Sequence, residues 1–177
     1  SVNGVPYNID TYSDKDLYYG QDGTLAAWVV TKPYLGGDLL KLAMESLDKA
    51  AETANGSKNK DIAERLTLMK GRYFNEGMNS YTLGDFKAAS LNFEEAAKIS
   101  VNPLVNAPDT TIMYYAGITA NMYGDSDRAI KFFEMSLANN FDSKGDLFSN
   151  LSESYKKSGN LEKAKDVLLA GFTKYPL

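Results

Sequence analysis

A glycine followed by aspartate or asparagine recurs along this 177-residue chain, as Gly84-Asp85, Gly124-Asp125 and Gly159-Asn160, 40 and then 35 residues apart. The neighbourhood returns with it. Seven positions before the glycine stand Gly77, Gly117 and Ser152, all small; five after it stand Ala89, Ala129 and Ala164. Nine after come Phe93, Phe133 and Leu168, and twelve after come Ala96, Ser136 and Gly171. Self-similarity at this period constrains the chain to stacked copies of one supersecondary unit, each hiding the apolar face of the next.

That unit reads as helix, turn, helix. Glycine suits the left-handed residue just past a helix end, and the Asp or Asn behind it is a strong N-cap for the next helix. After the first turn, Phe86, Ala89, Phe93 and Ala96 step by three and four, as a core-facing helical stripe does. Before it, Tyr73, Gly77 and Ser80 do the same. Small residues at the crossing let two helices approach to about 8 Å, with the large residues filling the space beside them.

With those residues in place, segments 70–103, 110–143 and 145–177 resemble tetratricopeptide repeats, a family whose unit is about 34 residues. Tyr73, Gly77, Gly84, Phe86, Ala89, Phe93 and Ala96 carry the likeness in the first segment, and Phe148, Leu151, Tyr155, Gly159, Leu161, Ala164, Leu168 and Pro176 in the third. The second departs at Met113 and Ser126, where the family more often has aromatics. The resemblance implies an all-α fold, a right-handed superhelical stack of antiparallel helix pairs. It also implies a concave groove lined by the first helix of each repeat. Carried over by position, the lining is Phe74, Met78, Tyr81 and Thr82, then Tyr114, Ile118, Asn121 and Met122, then Asp146, Ser149, Glu153, Lys156 and Lys157. Family members that clamp a C-terminal carboxylate do so with Lys, Asn and Arg. The matching positions here hold Phe74, Met78, Ile118, Ser149 and Glu153, which argues against such a clamp.

The longer first spacing has a visible cause, since residues 101–109 (VNPLVNAPD) carry Pro103 and Pro108 and cannot continue a helix. Upstream, residues 36–69 read as a degenerate half-repeat and a helix extension. A helix over 38–53 puts Leu39, Leu42, Ala43, Leu47 and Ala50 on one face after Gly36-Gly37-Asp38, and 54–60 forms a polar turn. A long helix over 61–81 follows, with Ile62, Leu66, Met69, Tyr73 and Gly77 inward. Residues 1–35 are an N-terminal arm, either irregular or a hairpin. In the hairpin, 16–19 and 24–30 flank Gly20-Gln21-Asp22-Gly23, although 25–30 also fits a short buried helix. Trp28, the only tryptophan, is expected to anchor the arm to the helices.

Composition removes much chemistry. With no His and no Cys, Ser–His and Cys–His triads, thiolate chemistry and ordinary zinc sites are gone. Ser154-Tyr155-Lys156-Lys157 matches S-x-x-K, but so does Ser57–Lys60 in a turn, and the companion motifs are missing. Asp125-Ser126-Asp127 fails as a calcium loop because the twelfth position is Ser136, so it reads as a helix cap. Sequons at Asn55 and Asn150 read as coincidences. The expectation is a protein without catalytic residues, cofactor or metal.

Nineteen basic against 23 acidic residues give a net charge of −4, with only three arginines, so nucleic acid is not the expected partner. The longest apolar run, residues 25–30, is far short of the roughly 18 needed to span a bilayer, so no membrane insertion is expected. A first residue Ser1 in place of Met reads as processing or cloning. A lost signal peptide and the absence of cysteine both fit export without showing it, so localisation stays open for a soluble, bacterial protein, with the periplasm favoured slightly over the cytoplasm. The functional expectation is a protein-interaction scaffold that grips a peptide or protein segment, apolar toward the first two repeats and polar toward the third. An extracytoplasmic glycan- or small-molecule-binding protein is the alternative, and it needs Tyr18, Tyr19, Trp28 and Tyr34 clustered on the surface. On the last helix, Leu161, Ala164, Leu168 and Phe172 are expected inward, with Val167, Leu169 and Ala170 left for a second copy, as a weak homodimer, or for another protein.

Overall fold

The structure is a computed structural model that describes residues 1–33 and 38–176. Three strands, β1 (Asn8–Thr11), β2 (Lys15–Tyr19) and β3 (Leu25–Val30), precede seven helices among the described residues. These are α1 (Leu39–Thr53), α2 (Asn59–Thr82), α3 (Phe86–Ser100), α4 (Thr110–Tyr123), α5 (Ser126–Ala138), α6 (Asp146–Lys157) and α7 (Leu161–Lys174). Consecutive helices from α2 onward pack on one another, so the chain is mostly helical with a small sheet at its N-terminal side.

The turns form as their residues dictate. Gly84, Gly124 and Gly159 have φ of +80°, +96° and +84°, a region in which a Cβ is strained. Behind them the side chains of Asp85, Asp125 and Asn160 accept the amide hydrogens of Ala88, Arg128 and Lys163 at 2.9, 3.0 and 3.1 Å. Asp125 is thus a helix cap, as its failed calcium spacing implied.

Between the helices of each pair the small–large pairing is literal. A Cβ on Gly77 would lie 2.7 Å from the Phe93 ring, and one on Gly117 would lie 2.6 Å from Phe133. Both phenylalanines are fully buried. The third copy solves the crossing differently, for Ser152 donates from Oγ to the Ala164 carbonyl at 2.8 Å. The core divides accordingly. One cluster centres on Leu66, Met69, Tyr73, Phe93 and Met113, and the other on Phe133, Leu147, Leu151 and Tyr155.

Three expectations need correction. The arm is an antiparallel three-stranded sheet in the order β1-β2-β3, so residues 25–30 are a strand, and the hairpin gains a third member in Asn8–Thr11. On α1, Leu39 and Leu42 are exposed, and the packed face is Leu40, Ala43, Met44, Leu47 and Ala50. The Gly36-Gly37 punctuation lies outside the described residues. On α7, Leu161 is 66% and Phe172 57% exposed, with Leu168 also open to solvent. Ala164 and Val167 are what pack inward, and Gly171 lies against Phe148. Ala164 thus leads a stripe turned by part of a helical step from the expected one, and at this crossing the glycine–phenylalanine contact is reversed, with the glycine (Gly171) on α7 and the phenylalanine (Phe148) on α6.

Polar ties lock successive pairs together. Glu94 on α3 reaches Arg128 and Lys131 on α5 as well as Lys98 on its own helix. Burial alone would raise the Glu94 pKa, but Lys98, Arg128 and Lys131 outweigh it and hold the carboxyl below its ordinary value of 4.5. A folded pKa below the unfolded one gives stabilisation that is complete above the unfolded value and is lost as pH falls through the folded one. Glu94→Gln should therefore cost about 1–2 kcal/mol at pH 7 and progressively less toward pH 3. Melting curves of both proteins across that range check it, and a gap that does not narrow in acid would show that charge is not the cause. Farther along, the Tyr155 hydroxyl donates to Glu134, tying α6 to α5. Burial first, and then that carboxylate, push the Tyr155 phenol up to about 12.

Candidate binding groove

Helices α2 and α4 leave space between them, whereas α4 and α6 are in contact. That space is a groove of about 350 Å³ lined by Lys70, Gly71, Phe74, Asp109, Thr111 and Ile112. Its rim is an ion pair, with Lys70 Nζ 3.4 Å from Asp109 Oδ2. Asp109 is held in place by two further bonds. Its Oδ1 accepts the Ile112 amide hydrogen at 3.2 Å as the N-cap of α4, and its own N–H donates to Ser100 Oγ at 3.2 Å. Phe74 is the aromatic side chain of the groove's lining, and other rings brace it from behind. Phe74 lies 5.8 Å from Phe93 and 6.3 Å from Tyr115, and Phe93 stacks on Tyr115 at 5.5 Å. Leu104 and Val105 of the connection fold back onto the core beneath.

The expected lining distributes unevenly over this geometry. Phe74 lines the groove, while Met78 and Ile118 are half-buried and packed against the two core clusters. Tyr81 (40% exposed) leans on Phe86, and Met122 is 48% exposed. Tyr114 is drawn toward α6, where its oxygen accepts from Asn150 Nδ2 at 3.0 Å and its ring packs on Phe133 and Phe141. Burial raises its pKa. Asn150 thus has a packing role that explains it without its sequon. Over α6 the surface is polar as expected, with Glu153 and Lys156 exposed and paired at 3.8 Å, and with Lys157 Nζ donating to Asn121 Oδ1 at 2.9 Å.

Lys70, Gly71, Asp109, Thr111 and Ile112 were not among the residues expected from sequence. Lys70 and Gly71 lie one helical turn before Phe74, and Thr111 one turn before Tyr114, so extending the alignment by a turn finds them. Asp109 was hidden because it lies between the aligned segments 70–103 and 110–143, in the connection that leads into α4.

No protein-family model matches the chain, and no curated protein does. The residues alone carry the functional reading.

Two other readings meet the geometry here. Among the described residues, no group of three or more His, Cys, Asp or Glu is placed to hold a metal ion, and no helix is long and apolar enough to cross a membrane. Ser154 is fully buried and its hydroxyl donates to the Asn150 carbonyl at 2.8 Å, while Lys157 is engaged with Asn121. Those two side chains do not form a nucleophile–base pair. The sheet register sets Tyr18 opposite Ala27 and Trp28 opposite Leu17. Neighbouring strand residues point to opposite faces, so Tyr18 and Trp28 cannot share one aromatic platform. Tyr34 lies outside the described residues.

Proposed function

We propose that this chain is a non-catalytic interaction module of the tetratricopeptide kind, which holds a protein or peptide segment along the surface formed by α2, α4 and α6. In this reading the helix pairs form the right-handed superhelical stack of that family, and its concave side is the binding face. The observation that carries it is the groove between α2 and α4. It is lined by Phe74 and Ile112 beneath a charged rim of Lys70 and Asp109, with no lining residue from the N-terminal sheet among the described residues. An occupant would place an apolar side chain against Phe74 and polar residues over Glu153 and Lys156 of α6.

Gly71 gives a clean test. It is exposed, and a Cβ there would have nothing within 4 Å, so a side chain enters the groove without disturbing the core. Peptides selected from a random display library against the intact protein should lose about tenfold or more in affinity for Gly71→Trp, the loss expected when a hot-spot pocket is filled. Circular dichroism should not change. Phe74→Ala and Ile118→Ala are poorer probes, because both side chains also pack on the core. If the selected peptides bind Gly71→Trp as tightly as the parent, the groove is not the binding site.

A further inference from the structure

A second groove, of about 560 Å³, runs between α1 and α2 and shares no lining residue with the first. Its floor is apolar, with Leu47 of α1 facing Ile62, Leu68 and Met69 of α2. Leu68 is 68% exposed, the most exposed large apolar side chain among the described residues. Helix α1 itself has an apolar face but no fully buried side chain, so the pair is only half covered.

The rim is basic. Lys58, Arg65 and Arg72 line it against a single acid, Asp61, in a chain whose net charge is −4. Two of the chain's three arginines are therefore here. The third, Arg128, is engaged by Glu94 and Asp125, whereas Arg65 and Arg72 make no ion pair or side-chain hydrogen bond among the described residues. Arginine left unpaired beside exposed leucine is the complement of a surface that is apolar and acidic together.

Spacing narrows the occupant. Arg65, Leu68, Met69 and Arg72 stand at i, i+3, i+4 and i+7 of α2, so the guanidinium stems rise about 10 Å apart along one side of the helix with the apolar pair between them. A second helix laid along the groove matches this spacing, meeting each arginine with its own carboxylate, if it carries acids seven residues apart with two apolar residues between them. We propose that the α1–α2 groove docks an acidic amphipathic helix of a partner protein, with its apolar face on Leu68 and Met69 and its carboxylates on Arg65 and Arg72.

The test uses the intact protein and a labelled synthetic helix of 21 residues in which two glutamates, seven apart, flank a Leu-Leu pair. Fluorescence anisotropy should show binding that weakens about tenfold or more in Arg65→Glu/Arg72→Glu, and that weakens steadily with added salt. The same helix with lysine in place of both glutamates should prefer the charge-reversed protein over the parent. Gly71→Trp should leave these affinities unchanged, which separates this surface from the groove between α2 and α4. Both arginines are exposed, so unchanged circular dichroism is expected and controls for folding. Absence of binding by the parent protein, equal binding of the glutamate and lysine helices, or displacement of the helix by dodecanoate or by a single-stranded oligonucleotide would overturn the proposal.

Discussion

Gly77→Ala and Gly117→Ala are each expected to destabilise the protein by about 1–3 kcal/mol, the cost of overpacking a filled core. On propensity alone the sign would be the reverse, because alanine is favoured over glycine inside a helix by about 1 kcal/mol. Packing decides it. The new methyl group at 77 would stand 2.7 Å from the Phe93 ring, and the one at 117 would stand 2.6 Å from Phe133. Neither ring has room to retreat. Phe93 is fully buried and braced by Phe74 and Tyr115, and Phe133 is fully buried with Tyr114 against it. The two sites belong to different core clusters, so their costs should add in the double variant. Gly71 supplies the internal control, since it lies in the same helix as Gly77 with open space at its Cβ. Gly71→Ala should gain about 0.5–1 kcal/mol from propensity. Pairing Gly77→Ala with Phe93→Leu should recover part of the loss, because the shorter side chain makes way for the methyl. Denaturant unfolding of the five variants at constant slope measures all of this. Equal shifts for Gly71→Ala and Gly77→Ala would remove the close crossing from the account.

These glycines also mark how far the sequence can be read. A turn glycine, its capping acid and a helix-crossing pair are local or fixed-period features, so Gly84-Asp85 and Gly77 with Phe93 are legible in the sequence. The last helix was less so. With Ser152 at the crossing in place of glycine, and a hydroxyl bond to Ala164 setting the approach, the inward stripe moves from Leu161 and Phe172 to Ala164 and Val167. Periodicity identifies a helix and its apolar side, but not which of two adjacent stripes a neighbour will cover. The groove between α2 and α4 shows the same division. Phe74 followed from the alignment, whereas Asp109 lies in the connection between aligned segments and the opening itself is a matter of tertiary packing. The arm was the least legible. Its third strand, Asn8–Thr11, is exposed along its whole length and has no apolar alternation to announce it.

Trp28 was expected to anchor that arm to the helices, and the polar tie in the structure is made by its backbone. Asn79 on α2 accepts the Trp28 amide hydrogen at Oδ1 (2.8 Å) and donates from Nδ2 to the Trp28 carbonyl (3.0 Å). A primary amide carries one acceptor and one donor group in the arrangement of a peptide unit. Asn79 therefore completes the outer edge of β3 as a neighbouring strand would, and leaves fewer bare backbone groups there to recruit another chain. Asn79→Ala removes both bonds from a partly buried edge. Each lost bond is worth about 1 kcal/mol net, and more where the stranded group stays out of water, so the attachment of residues 1–33 should weaken by about 2–4 kcal/mol. Glu76, one turn away, should respond as well. Burial already raises its carboxyl and the Asn79 amide partly offsets this, so loss of the amide should raise it further. Asn79→Asp is the sharper variant. It keeps the acceptor for the Trp28 amide hydrogen but sets a carboxylate oxygen against the Trp28 carbonyl, so it should release the arm at neutral pH and partly restore it in acid, when protonation returns a donor. The only tryptophan in the chain makes the readout direct. Its emission should shift to the red and its backbone amide should lose hydrogen-exchange protection in Asn79→Ala, while amides in α4 to α6 keep theirs. Emission and exchange at Trp28 identical to those of the parent would mean that the sheet is held by its other contacts with α2, and not by this clamp.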